Sequence, residues 1–177
     1  MGALLSRLYY YREKKVIILG LDNSGKSTIL SQLLKYPKKK TMREPYMPPT
    51  LGFNMQKTTF KNRKYSLWDL SGNSNIRKYW KCYFTGCNGV IFVIDAADIG
   101  RIDENIGILN ELVSDEELKQ LPFLVFLHKF DKKPNLELWW EKIGEVFQKR
   151  KHKICRSTYK EESTVYAGFA WLAYEMK

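Results

Sequence analysis

The stretch "VIILGLDNSGKSTIL", from Val16 to Leu30, decides the fold class of this chain. Its apolar first part predicts a buried β-strand, and the segment from Ser27 to Lys35 predicts a helix directly after that strand. Between the two, Gly20 to Ser27 fits the pattern GxxxxGK[ST] in full. Glycines there let successive backbone N–H groups face a phosphate at the positive end of a helix. The stretch therefore predicts a loop that binds the phosphates of a nucleoside triphosphate.

The side chains in and after this loop have separate predicted roles. Lys26 is expected to reach the β- and γ-phosphates, and the Ser27 hydroxyl is expected to ligate Mg²⁺. Asp69 closes an apolar strand in "WDLSGN", where its carboxylate can hold Mg²⁺ through water. The predicted phosphate-binding residues are Gly20, Asp22, Asn23, Ser24, Gly25, Lys26, Ser27, Thr28 and Gly72.

Two further segments are predicted to sense the γ-phosphate. Gly72 completes a DxxG pattern with Asp69, and its N–H can meet that phosphate. Thr50 lies in the loop before a predicted hairpin, where it can complete the Mg²⁺ shell when the γ-phosphate is present. The predicted metal site therefore comprises Ser27, Thr50 and, through water, Asp69.

Short apolar runs alternate with amphipathic segments along the rest of the chain. Residues 53–60 and 64–70 predict an antiparallel pair of strands, and residues 89–96, 122–131 and 153–158 predict three more strands. Helices are predicted at 102–118, 135–150 and 166–177. At 177 residues this alternation predicts an α/β fold with a mostly parallel sheet that is covered on both faces.

Composition limits the function classes. The formal net charge of +11 implies attraction to nucleic acid, to an acidic membrane surface or to an acidic protein. Nucleic acid is the least favoured of these, because no recognition motif accompanies the charge. The three cysteines form no CxxC pair and no cluster with several histidines, which argues against a disulfide framework or a zinc site. No apolar run reaches the roughly 18–20 residues of a membrane span, and we expect a cytoplasmic protein.

Several of these stretches resemble one family. "MGALLS", "GLDNSGKST", "PTLGFN", "WDLSGN" and "YWKCYF" are together similar to the ADP-ribosylation factor (Arf) and Arf-like small GTPases, over essentially the whole chain. The resemblance implies an α/β P-loop small-GTPase fold, with a six-stranded, mostly parallel sheet flanked by helices. It also implies GTP/GDP and Mg²⁺ as cofactors, and effector proteins and exchange or activating factors as partners. Phe53, Trp68 and Tyr83 match the aromatic positions that such proteins present to effectors.

The base-reading motif of the family, NKxD, is represented by "HKFD". Asp131 is predicted to accept hydrogen bonds from the guanine N1–H and 2-amino group, and Lys129 to stack its stem over the base. His128 replaces the asparagine, and a neutral imidazole offers one donor and one acceptor in its place; alternatively, it is an ordinary strand-end residue. The last base-contacting loop is predicted in "CRSTYKEES", where Cys155, Arg156 and Ser157 resemble the family motif, and it acts through a backbone N–H.

The N-terminal arm, residues 1–15, is predicted to be separate from a GTP-binding domain at 16–177. Gly2 begins the pattern M-G-x-x-x-[ST], which is typical of N-myristoylation. Leucines on one helical face and nearby basic residues would add to the marginal binding of a single acyl chain. We therefore expect peripheral attachment to an endomembrane. The alternative is an unmodified arm that packs on the domain.

Departures from the family pattern lower the GTP hydrolysis activity that we expect. Asn73 stands where the family has the glutamine that orients the attacking water, and its amide is one methylene shorter. We therefore expect slow or absent intrinsic GTP hydrolysis. The loop that contains Lys38 to Arg43 is longer than is usual, and its role is open. The alternative function is a divergent, non-hydrolysing member that acts as a structural subunit. An ATP-dependent kinase is disfavoured, since "PTLGFN" and "HKFD" would then have no purpose.

Overall fold

A six-stranded sheet forms the centre of the protein. The computed structural model describes residues 13–35, 50, 52–132, 134–148 and 150–176. The strands are β1 (Lys14–Leu19), β2 (Phe53–Phe60), β3 (Arg63–Leu70), β4 (Cys87–Asp95), β5 (Phe123–His128) and β6 (His152–Arg156), in the order β2-β3-β1-β4-β5-β6. β2 runs antiparallel to β3, and every other neighbouring pair is parallel. The predicted six-stranded, mostly parallel sheet is therefore confirmed.

Helices cover both faces of the sheet. They are α1 (Lys26–Leu34), α2 (Ser74–Arg77), α3 (Ile102–Ser114), α4 (Glu137–Phe147) and α5 (Glu162–Glu175), with 3₁₀ turns at Trp80–Tyr83, Ile99–Arg101 and Phe130–Lys132. α1 and α5 bury Ile29, Leu33 and Phe169 in one apolar cluster. α3 and α4 bury Leu109 and Trp139 in a second cluster on the opposite face. The buried strands separate these two cores, as expected for a parallel sheet.

Several element boundaries differ from those predicted. α3 ends at Ser114 instead of residue 118, because the Asp115 side chain accepts a hydrogen bond from the Glu117 N–H and turns the chain. α5 begins at Glu162, four residues before the predicted start at 166, and its first turn is polar. β1 begins at Lys14, so the sheet extends two residues before the predicted domain boundary at 16. Among the described residues, none of the helices is long and apolar enough to cross a membrane.

The topology brings the predicted site residues to one edge of the sheet. β1, β3, β4 and β5 are parallel to one another, so their carboxyl ends meet there, and they end at Leu19, Leu70, Asp95 and His128. Ligands of open α/β sheets bind at such an edge. Gly2 and the segment Lys38 to Arg43 lie outside the described residues.

Candidate nucleotide-binding site

The loop between β1 and α1 has the backbone geometry of an anion-binding turn. Gly20 and Gly25 have φ angles of 142° and 96°, and Asn23 has a φ of 58°. A Cβ at Gly20 would lie 2.2 Å from the Val93 carbonyl oxygen, so the β1 end requires glycine there. Asp22 and Asn23 are exposed, whereas Ser24 is buried. The loop thus leads directly into the N-terminus of α1, where backbone N–H groups are unpaired and can face phosphate.

Lys26 is folded over the loop. Its ammonium group donates to the Leu21 carbonyl at 2.7 Å, and the residue is 6% exposed. Burial is the main cause that lowers the pKa of Lys26 to about 8, although Asp69 and Asp22 oppose the shift. A phosphate group at the loop would supply the negative charge that a buried ammonium lacks.

The predicted metal ligands lie together on α1, the loop at Thr50 and β3. The Ser27 hydroxyl donates to Asp69 Oδ2 at 2.6 Å, and the Ser27 and Thr50 hydroxyl oxygens are 3.4 Å apart. Asp69 is fully buried, and its Oδ1 has no hydrogen-bond partner among the described residues. Burial raises the pKa of Asp69, although the Ser27 hydrogen bond and the Lys26 charge oppose this. Hard oxygen donors around an unsatisfied carboxylate oxygen fit a Mg²⁺ ion.

Gly72 and Asn73 follow β3 next to the loop. A Cβ at Gly72 would lie 2.4 Å from the Asp22 backbone nitrogen, so the DxxG turn packs closely on the phosphate loop. Asn73 is exposed, and its side-chain oxygen accepts from the Asn75 N–H at 2.9 Å. Asn73 is therefore the N-cap of α2, which sequence analysis did not predict.

His128 connects the other end of the site to the phosphate loop. It is 3% exposed, its Nδ1 lies 3.0 Å from the Ser157 hydroxyl, and its ring lies against Gly25. Burial, together with the charge of Lys129, lowers the pKa of His128 to about 4. The imidazole is therefore neutral at physiological pH.

Lys129 makes a second connection to the phosphate loop. Its ammonium group donates to the Asn23 carbonyl at 2.8 Å and to Asp95 Oδ2 at 2.7 Å. Lys129 has a φ of 60°, a left-handed conformation that ends β5 at the preceding residue. This turn and these two bonds hold the lysine stem between the phosphate loop and the end of β4.

Asp131 lies in the 3₁₀ turn after Lys129 and is exposed. Its Oδ1 accepts from the Thr158 hydroxyl at 2.9 Å, and its Oδ2 lies 3.7 Å from the Lys160 ammonium. Slight burial would raise the pKa of Asp131, but the bond from Thr158 and the charge of Lys160 outweigh it, so that the pKa lies below its usual value. Asp131 thus presents an ionised, anchored carboxylate.

The first two residues of the predicted base-contacting loop belong to β6. Cys155 and Arg156 lie within β6: the Cys155 side chain packs against an apolar core, and the Arg156 guanidinium lies over the Phe130 ring at 5.2 Å. The residues that contact His128 and Asp131 are instead Ser157 and Thr158. β6 ends at Arg156, so the irregular part of the predicted loop begins at Ser157.

Sequence reasoning also missed Arg101, which contacts the phosphate loop from the segment after β4. Its guanidinium pairs with Asp22 at 3.0 Å and with Asp98 at 2.6 Å, and it donates to the Asp22 carbonyl at 3.2 Å. Asp22 and Arg101 are 79 residues apart in the chain, so no local pattern predicts the pair.

The predicted effector-contact residues form an aromatic cluster on the surface. Phe53 stacks on Trp68 with ring centroids 5.4 Å apart, and Tyr83 lies 5.3 Å from Phe53 and 5.9 Å from Trp68. Phe53 is 49% exposed, and the Lys15 ammonium lies 5.0 Å from the Trp68 ring. The three aromatic residues therefore share one patch.

Comparison with known proteins agrees with this geometry. Residues 1–176 match the model of the ADP-ribosylation factor family. The chain is 37% identical over 135 residues to ADP-ribosylation factor 1 of Brassica rapa subsp. pekinensis, covering 74% of this chain and 71% of that protein. It is 36% identical over the same length to ADP-ribosylation factor 3 of Arabidopsis thaliana, with equal coverage.

A solved structure shares the fold. The Arl6 BBS3 small GTPase of Trypanosoma brucei, solved with the bound nucleotide analogue GppNp, superposes with a TM-score of 0.80 at 23% identity. The alignment covers 93% of this chain and 98% of that chain. With the family match over the whole sequence, the resemblance stated above is confirmed: this chain belongs to the ADP-ribosylation factor family of small GTPases, which are nucleotide-binding switches.

Proposed function

We propose that the chain is a Mg²⁺-dependent switch that binds GTP and GDP and recruits partner proteins at a membrane when GTP is bound. The observation that carries the proposal is the Ser27–Asp69 hydrogen bond of 2.6 Å, with Thr50 beside it. This cluster supplies the metal ligands next to the phosphate loop. At the other end of the site, the anchored Asp131 carboxylate supplies the acceptor that guanine requires.

Titration calorimetry with GTP, GDP and ATP in the presence of Mg²⁺ tests the proposal. We expect binding of both guanine nucleotides and none of ATP; a preference for ATP would exclude a guanine switch. Asp131→Asn is the matched variant, because its amide can donate to the 2-oxo group of xanthine but cannot accept from the guanine 2-amino group in the same way as the carboxylate. The variant should therefore exchange guanine preference for xanthine preference.

Intrinsic hydrolysis is proposed to be slow. Asn73 is one methylene shorter than glutamine, and its side-chain oxygen accepts from the Asn75 N–H at the start of α2. An amide engaged in that bond is not free to orient a water molecule, and misplacing such a group can cost roughly 100-fold in rate.

The same observation favours a second candidate, a non-hydrolysing member that keeps its nucleotide as a structural cofactor. Single-turnover hydrolysis and nucleotide-exchange measurements separate the two. Ready exchange, with hydrolysis that an activating protein stimulates, supports the switch. A nucleotide that neither exchanges nor turns over supports the structural role.

The aromatic patch of Phe53, Trp68 and Tyr83 is proposed as the effector-contact surface. Aromatic side chains are enriched among the residues that dominate binding energy at interfaces. Phe53→Ala should therefore weaken binding of a GTP-dependent partner without changing nucleotide affinity, because Phe53 makes no contact with the phosphate loop among its described contacts.

Membrane attachment is proposed to occur through a myristoyl group on Gly2, assisted by basic residues, on the cytoplasmic side of an endomembrane. One myristoyl chain gives only marginal binding, with an association constant of about 10⁴ M⁻¹. Nearby Lys and Arg can add on the order of 1 kcal/mol each at an anionic leaflet. Intact mass of protein from a myristoylating host, followed by liposome sedimentation with and without anionic lipid, tests this. A Gly2→Ala variant should lose both the added mass and the sedimentation.

A further inference from the structure

Gln32 is a buried amide that the phosphate and metal chemistry described above does not use. It lies on α1, after Lys26 and Ser27, and only 1% of the residue is exposed. A buried amide is costly unless it is hydrogen-bonded. Gln32 Nε2 donates to the Thr158 carbonyl at 3.0 Å and to the Tyr159 carbonyl at 3.4 Å, while its Oε1 has no partner among the described residues. The donor side of this amide is therefore committed to one loop.

The two carbonyls belong to the loop that anchors Asp131. Thr158 accepts from Gln32 through its backbone and donates through its hydroxyl to Asp131 Oδ1 at 2.9 Å. The contacts thus run from the amide of α1, through Thr158, to the carboxylate. Other contacts attach the loop at Ser157: its N–H donates to the Leu127 carbonyl, its carbonyl accepts from the Phe130 N–H, and its hydroxyl lies 3.0 Å from His128 Nδ1. At Thr158 and Tyr159, Gln32 supplies the contacts that come from α1, and the Glu161 N–H of the same loop also donates to the Thr158 carbonyl at 3.4 Å.

We propose that Gln32 is a positioning residue for base recognition. Its amide holds Thr158 and Tyr159 where the Thr158 hydroxyl fixes the carboxylate of Asp131. The inference rests on the proposed function, since Asp131 reads a base only if a guanine nucleotide binds. A carboxylate that is already fixed loses less conformational entropy when it pairs with the base.

The ratio of GDP to IDP affinity isolates this effect. Hypoxanthine lacks the 2-amino group of guanine, whereas the ribose and phosphates of the two nucleotides are identical. Asp131 can accept from the N1–H of both bases but from the 2-amino group of guanine alone, so misplacement of its carboxylate weakens GDP binding more than IDP binding and lowers the ratio. A contribution to the fold or to the phosphate loop changes both affinities equally. The affinities are measured by displacement of a fluorescent GDP analogue in Mg²⁺.

Gln32→Leu removes the amide at similar volume and keeps a good helix former. We expect its GDP/IDP affinity ratio to fall about 5- to 10-fold, which corresponds to the net contribution of one ordinary neutral hydrogen bond. Gln120→Leu is the matched control, because Gln120 is exposed and lies before β5 at the opposite edge of the sheet; its ratio should equal that of the wild type. Gln32→Met is measured as well, because the flexible methionine side chain fills irregular space. If Gln32→Leu fails to fold, Gln32→Met provides a folded variant that also lacks the amide.

Thr158 tests whether the effect passes through the proposed contact. Thr158→Val removes the hydroxyl and should lower the ratio as Gln32→Leu does, whereas Thr158→Ser keeps the hydroxyl and should retain the wild-type ratio. The double variant Gln32→Leu, Thr158→Val should be no worse than the poorer single variant, because both changes break one chain of contacts.

Two results would overturn the inference in distinguishable ways. A wild type that prefers GDP, with Gln32 variants that lose GDP and IDP affinity equally or not at all, would limit Gln32 to a structural role and leave the proposed function intact. A wild type that binds GDP no better than IDP would remove the guanine proposal and this inference together.

Discussion

The imidazole of His128 lies so close to Gly25 that a methyl group on that glycine would come within 2.3 Å of His128 Cδ2. Gly25 precedes α1 with a φ of 96°, and His128 ends β5. This packing contact therefore joins the phosphate half of the site to the base half, in addition to the hydrogen bond from Lys129 to the Asn23 carbonyl. In this chain a histidine occupies the position at which the family has asparagine, and its ring fills the space against the loop.

Gly25→Ala should lower the free energy of unfolding by more than a glycine substitution that causes backbone strain alone. Gly86 is the matched control, because its φ is 74° and no described atom lies within 4 Å of the position that a Cβ would take there. Gly86→Ala should lower the free energy of unfolding by about 1–2 kcal/mol from left-handed strain. Gly25→Ala should add about 1–3 kcal/mol from overpacking against His128. Urea unfolding measures the loss of stability in both variants. Equal losses would show that the His128 side chain moves away from the added methyl group at no cost in free energy.

The stability of the protein should depend on His128 in acid. Its pKa is lowered from 6.5 to about 4 in the folded chain, chiefly by burial. Between those values the unfolded chain binds more protons, so stability is fully present above pH 6.5 and falls as the pH drops toward 4. The contribution is on the order of 3 kcal/mol.

His128→Asn removes the titrating group while a polar amide remains at the position. Urea unfolding of both proteins from about pH 7 to about pH 4 spans the titration of the histidine in the unfolded and folded chains. The wild type should lose stability more steeply than the variant, because acid losses from other groups are common to both. Parallel curves would mean that His128 is protonated equally easily in the folded and unfolded chains.

Asn73→Gln should raise the rate of single-turnover GTP hydrolysis. The increase should be up to roughly 100-fold if the short side chain of Asn73 is what limits the rate. The same change should lower stability slightly, because glutamine is a poorer N-cap for α2 than asparagine. Asn73→Ser is the control: its hydroxyl can still cap α2, but it has no amide to orient water. If the Asn73→Gln and Asn73→Ser variants hydrolyse GTP at the same rate, a different departure from the family pattern limits the rate of hydrolysis.

Removal of Mg²⁺ should accelerate GDP release from the wild type, and Ser27→Ala should release GDP quickly even with Mg²⁺ present. The Ser27 hydroxyl lies 2.6 Å from Asp69 Oδ2 at the predicted metal position. Its loss should weaken Mg²⁺ binding at least about 10-fold, the lower end of what loss of an outer-shell partner costs. Ser31→Ala on the same helix should behave as the wild type. Release is followed by fluorescence of a GDP analogue with and without chelator, and insensitivity of the wild type to chelator would contradict the metal assignment.

Sequence reasoning predicted which residues meet at the proposed phosphate end of the site, because that chemistry lies in contiguous motifs. Lys26 and Ser27 follow their glycines at fixed spacing, and Asp69 ends an apolar strand, so each position follows from local pattern and from the rule that parallel strands end together. The sheet followed from the same alternation of short apolar runs and amphipathic segments.

The base end could be predicted only in part, because it depends on where elements end and on long-range contacts. β6 continues to Arg156, so within the predicted loop it is Ser157 and Thr158 that contact His128 and Asp131, and no local pattern predicts these contacts. α1 contacts that loop through Gln32, which is 126 residues away in the chain. Asn73 begins a four-residue helix that has too few turns to show a periodicity in the sequence.

Helix α1 contacts both ends of the proposed nucleotide site. It is nine residues long, or about 13 Å. The Ser27 hydroxyl sits in its first turn, and the Gln32 amide supports the loop at the far end of the ligand. A tilt of this helix would displace the proposed metal ligand and the proposed support of the base loop together. A partner that pulled on α1 from the surface would thereby weaken the contacts to both halves of a bound nucleotide in one step.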